Sequence, residues 1–146
     1  MFMNQTNKEI PKTKYIIYAR RSTEDEERQQ LSIPSQLEET KKFAKTAGLN
    51  VVDTIFESKT AKKPGRKVFN KLLEMISYGA VNGIIAWHPD RLARNAVDAG
   101  QIMHLLDTGK LLDLKFPSFW FEDTSQGKFM LSMAFSQSKY YVDSLS

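Results

Sequence analysis

Cysteine is absent from this 146-residue chain, which excludes disulfides and thiolate metal sites and suits a reducing compartment. Histidine occurs only as His88 and His104, which do not make a metal site. No apolar run approaches the length of a membrane span and no secretory leader is visible, so no membrane partner is expected. Acids are outnumbered, 17 against 21 lysines and arginines, and the resulting charge of +4 modestly favours an anionic partner. The imbalance is local. Residues 22–40 hold Glu24, Asp25, Glu26, Glu27, Glu38 and Glu39 against Arg28 alone, whereas 41–71 hold nine bases and two acids and suit a phosphate backbone. What is present, 41% hydrophobic residues, is enough for one domain around one core.

Lys14–Ala19 is short and β-prone and reads as a buried strand. Ser32 can cap a helix whose first turn tolerates Pro34; Ile33, Leu37, Phe43, Ala44 and Ala47 follow helical spacing, and Gly48 ends the run. Val51, Val52, Ile55 and Phe56 mark a second strand, and Ser58–Gly65 a basic loop. Val68, Leu72, Leu73, Met75 and Ile76 predict a second helix, Gly83–Trp87 a third strand, Ala96–Thr108 a third helix and Leu111–Phe116 a fourth strand. A last helix begins near Gln126 or Lys128. Residues 1–13 read as a loose tail and 14–125 as one domain. Alternating strands and helices predict an α/β fold, with a mainly parallel central sheet and helices on both faces. Sites in such folds gather at the carboxyl ends of the strands. Ser22 follows strand one, Ser58 strand two, and Asp90, Arg91 and Arg94 strand three.

Ser22 closes Tyr18-Ala19-Arg20-Arg21-Ser22, and a second basic cluster lies in Asp90-Arg91-Leu92-Ala93-Arg94. A hydroxyl at a strand end among arginines suits attack on a phosphodiester, since a planar guanidinium can grip two phosphate oxygens and stays charged. Arginine is scarce, six against fifteen lysines, and Arg20, Arg66, Arg91 and Arg94 all fall in the candidate segments. Each residue has a plainer reading. Ser22 and Ser58 suit turns, Gln36 an exposed helix face, Arg66 a loop, Arg91 and Arg94 a solvated face, and Asp90 a helix cap.

The ordered set resembles the catalytic domain of the serine recombinases, the resolvase/invertase and large serine integrase family. Tyr18-Ala19-Arg20-Arg21-Ser22-Thr23 resembles its nucleophile motif, and Ser32-Ile33-Pro34-Ser35-Gln36 its downstream glutamine element. Phe56-Glu57-Ser58 resembles the strand end that carries a second serine, and Gly65-Arg66-Lys67-Val68-Phe69 the arginine that opens the second helix. Asp90-Arg91-Leu92-Ala93-Arg94-Asn95 resembles its second arginine cluster, and Thr124 to Met130 the start of its interface helix. Arg21 departs from the family's usual small apolar residue.

The resemblance implies that Ser22 attacks a DNA phosphate to give a 5′-phosphoserine and a free 3′-hydroxyl, with exchange by subunit rotation and religation. It implies that Arg20, Arg66, Arg91 and Arg94 hold the phosphate, that Gln36 and Ser58 assist, and that Asp90 orients arginines or helps move a proton. Lys59, Lys62 and Lys63 suit the DNA backbone or simply keep their loop solvated. No metal or cofactor is implied. The implied partners are double-stranded DNA recombination sites and further copies of the chain, as dimer and tetramer through the last helix. A DNA-binding region is expected after residue 146, and the setting is cytoplasmic, on bacterial, phage or mobile-element DNA. Two other classes stay open: a non-catalytic assembly module that kept the fold, and a doubly wound phosphate-binding signalling domain.

Overall fold

The central strand is β1 (Tyr15–Arg20), buried along all six residues. A strand covered on both faces reads as a continuous apolar run, which is why it stood out in the sequence. The computed structural model describes residues 12–21, 31–59 and 63–145, with side chains described as far as Ser136. The expected tail therefore lies almost wholly outside the described residues. Around β1 run β2 (Val51–Glu57), β3 (Gly83–Ile85) and β4 (Asp113–Lys115), in the order β2-β1-β3-β4 and all parallel.

The helices are α1 (Ile33–Ala47), α2 (Lys67–Ser77), α3 (Pro89–Leu92), α4 (Ala96–Asp107) and α5 (Ser125–Leu145). Ile16 and Tyr18 of β1 join the main core with Phe69 and Leu72 of α2, Ile102 of α4 and Leu131 of α5. Tyr15 and Ile17, on the opposite face, pack with Ala44 of α1. The strand's period of two thus separates two cores. Ser32 caps α1 by accepting from the Ser35 N–H, and Gly48 ends it in the left-handed conformation, φ 69°.

Gly83 is fixed by its neighbour. The Tyr15 ring crosses over it to donate to Asp113 Oδ2 at 2.6 Å, and a Cβ at Gly83 would lie 2.6 Å from that ring. Burial, reinforced by the Asp113 carboxylate, pushes the Tyr15 hydroxyl above its ordinary pKa, so it stays a donor.

The structure shortens two expected strands. β3 stops at Ile85 rather than Trp87, because only the Ala86 N–H bond to Lys115 O continues the ladder before the chain turns. β4 begins at Asp113, since Leu111 still bonds back to Leu105 O of α4. Between β3 and α4 the chain forms α3, capped by His88 with Pro89 in its first turn.

Candidate active site

Arg20 is the last residue of β1 and is fully buried, an unusual place for a cation. Its guanidinium is held by three backbone carbonyls. Nε donates to Arg91 O at 3.1 Å, and the two terminal nitrogens donate to Lys59 O at 3.0 Å and Asp90 O at 2.9 Å. The fork ties the ends of β1, β2 and α3 to one point. Arg91 answers it, donating from one terminal nitrogen to Arg20 O at 3.2 Å.

Gln36 is fully buried as well, one turn into α1. Its side-chain amide pairs with the strand end as a further strand would: Oε1 accepts from the Arg20 N–H at 3.2 Å, and Nε2 donates to Arg20 O at 2.8 Å. Nε2 also donates to Leu31 O. The exposed-glutamine reading is therefore set aside. Gln36 braces the backbone just before Arg21 and Ser22.

Asp90 is the second residue of α3, so His88 and not Asp90 is the cap. Asp90 Oδ1 accepts from Arg91 Nε at 2.9 Å. Partial burial opposes its ionisation, yet the close approach of His88 Nδ1 and the hydrogen bond and charge of Arg91 hold the carboxyl well below the usual carboxylate range. It is an acceptor that orients, and a poor proton donor.

A second network backs the first. Glu57 ends β2, and its carboxylate accepts from the Val68 and Phe69 N–H groups at the start of α2, where the helix dipole favours a negative charge. Tyr18 donates to Glu57 Oε1 at 2.5 Å and accepts from Arg66 at 3.0 Å. Burial pushes the Tyr18 hydroxyl far above its ordinary value, outweighing the Arg66 charge, so it keeps its proton for Glu57. Arg66 also donates to Leu92 O and to Asp98 Oδ2 at 3.1 Å, and its guanidinium lies 4.0 Å above the Phe69 ring. Asn95 caps α4 through Asp98 N and donates to Asp98 Oδ2.

The structure thus brings together Arg20, Gln36, Asp90 and Arg91, with Arg66 joined through the carbonyl of Leu92. Arg94 is buried just beyond α3. The solvated-face reading of Arg91 and Arg94 and the loop reading of Arg66 are set aside by their burial. Ser58, Lys59 and Lys63 lie exposed after β2. Ser22 and Lys62 lie outside the described residues. Sequence reasoning missed Glu57, Asp98 and the polar role of Tyr18. Asp98 had a signal: an acid three residues after Asn95 is the spacing of a capping pair. Glu57 and Tyr18 had none, because their partners are distant in the chain.

A family model described as "Resolvase, N terminal domain" matches residues 15–146. A search of curated proteins found no match. The N-terminal catalytic domain of TP901-1 integrase has 20% identity and a TM-score of 0.66, over 92% of this chain and all of that one. A resolvase family site-specific recombinase from Streptococcus pneumoniae has 24% identity and a TM-score of 0.63, over 92% and 91% of the two chains. The catalytic domain of an IS607-like serine recombinase has 22% identity and a TM-score of 0.57, over 82% and 77%.

Proposed function

The chain belongs to the resolvase N-terminal domain family of site-specific DNA recombinases, and we propose that Ser22 is the residue with which it cleaves DNA. The observation that carries this reading is the convergence of Arg20, Arg91 and Gln36 on the end of β1, two residues before Ser22. A serine hydroxyl is a weak nucleophile and gains most from groups that stabilise charge on the phosphate it attacks. Ser22 Oγ forms a bond to phosphorus and gives up its proton. The bond from phosphorus to the 3′-oxygen breaks, and that oxygen leaves with a proton as a 3′-hydroxyl. The 5′-phosphoserine retains the bond energy, so attack by a 3′-hydroxyl reverses the step without ATP.

Arg91, Arg94 and Arg20 surround the phosphate in this reading, and Arg66 supports them from the start of α2. Asp90, kept ionised, orients Arg91. Gln36 fixes the backbone that leads to Ser22, and Ser58 assists from the end of β2. Lys59, Lys62 and Lys63 meet the DNA backbone. In this reading α5 begins an oligomerisation helix for a dimer and a tetrameric synapse, and leads to a DNA-binding region.

The test uses the recombinase with its DNA-binding region and a nicked cognate site that traps the cleaved state. A covalent protein–DNA adduct at the 5′ phosphate, lost in Ser22→Ala, is expected on a denaturing gel. Equal adduct in both proteins moves the nucleophile elsewhere. Site binding and synapsis without adduct favour a non-catalytic assembly module.

A further inference from the structure

His88 stands outside the motifs that pointed to the site, yet its Nδ1 touches Asp90 in two ways. It accepts the Asp90 N–H at 3.2 Å, as the cap of α3. It also lies 3.2 Å from Asp90 Oδ1, the oxygen that accepts from Arg91 Nε. These contacts need opposite protonation states. A bare Nδ1 lone pair caps the helix but faces the carboxylate oxygen as one acceptor faces another. A protonated Nδ1 releases the cap and donates to Oδ1. Histidine is the side chain whose charge ordinarily changes between about pH 5 and 8.

The imidazole is also held in place. Its ring meets Phe119 edge to face, with centroids 5.9 Å apart, and Phe119 meets Phe116 in the same way. Phe116 is buried in the main core. Ser118 donates to Trp87 O, which pins the segment after β4 beside His88. Among the described residues, the charged groups facing His88 are Asp90 and, through Oδ1, Arg91; Phe119 on the other side does not titrate. Both His88 and Asp90 keep about a third of their side-chain surface open, 33% and 29%, so protons can reach them.

We propose that His88 is a positioning residue, which in its protonated form holds the Asp90 carboxylate on Arg91 and in its neutral form caps α3 instead. The inference rests on the reading of Asp90 and Arg91 given above. Protonation adds a charge-assisted bond to Oδ1 and keeps Arg91 oriented; deprotonation withdraws that bond. The effect on strand cleavage therefore grows as pH falls through the range of about 8 to 5 in which histidine ordinarily gains a proton.

His88→Asn separates the two roles, because asparagine is a good helix cap but does not titrate. The ratio of wild-type to His88→Asn adduct-formation rate should change about tenfold between about pH 8 and 5, where histidine ordinarily gains its charge, the worth of one charge-assisted hydrogen bond. A second readout needs no cleavage. In ¹⁵N-histidine NMR, with His88 assigned through His88→Asn, the Nδ1 resonance should lie closer to that of a bare ring nitrogen in Asp90→Asn than in wild type, because the carboxylate that Nδ1 faces at 3.2 Å is gone. A rate ratio that is flat with pH overturns the positioning role. Identical His88 Nδ1 resonances in the two proteins overturn the contact itself. An absent adduct in wild type counts against the Ser22 reading, and the NMR comparison then decides the His88–Asp90 coupling alone.

Discussion

Arg66 and Asp98 meet in the interior with only 2% of either side chain exposed, 32 residues apart in sequence. Removing one member of such a pair leaves a buried charge without its partner, which costs more than the pair itself contributes. Asp98→Ala should therefore lower stability by about 3–5 kcal/mol, read as the midpoint of urea unfolding; a loss near zero would show that Arg66 relaxes to solvent. The same pair marks what was legible at this scale. Arg20, Arg91 and Arg94 stood out because forked cations are rare here and cluster around a serine. That Arg20 would be buried was not legible, because it depends on carbonyls supplied by Lys59, just after β2, and by Asp90 and Arg91 of α3. Glu57 was not singled out, since an acid looks alike in sequence whether it meets water or, as here, a hydroxyl and two backbone N–H groups folded against it from elsewhere.

Caps and apolar runs made most elements readable. β1 declared itself because both its faces are covered, and α1 because Ser32, Pro34 and Gly48 mark its ends. α3 was not readable: four residues are too few to show a helical period, and its cap is a histidine. The start of α5 shows how tightly one junction is built. Thr124 Oγ1 accepts from the Gly127 N–H, and a Cβ at Gly127 would lie 1.8 Å from the backbone oxygen of Glu122. No side-chain rotation relieves a contact with backbone. Gly127→Ala should cost about 1–3 kcal/mol as α5 or residues 122–124 shift, measurable as a lower thermal midpoint. An unchanged midpoint would mean the junction is looser than this packing requires.

Across the whole molecule, α5 divides its apolar residues. Leu131 and Phe135 enter the main core, while Phe129, Met130 and Met133 stay exposed. The resemblance set this helix against further copies of the chain; only the packing shows which of its residues enter the core and which stay exposed. The basic residues after β2 give a second whole-molecule expectation. If Lys59, Lys62 and Lys63 each neutralise a phosphate, replacing all three with alanine should reduce the salt dependence of site binding by about 2–3 in log–log slope. An unchanged slope would leave them as solvated loop residues. The account turns on Ser22, and the most direct measurement is mass spectrometry of the trapped covalent complex after nuclease and trypsin. Cleavage after Arg21 and Arg28 isolates Ser22–Arg28, which holds Ser22 and Thr23 as its hydroxyl residues. A nucleotide joined through its 5′ phosphate to Ser22 is expected; the nucleotide on Thr23, or on any other peptide, would contradict Ser22 as the nucleophile.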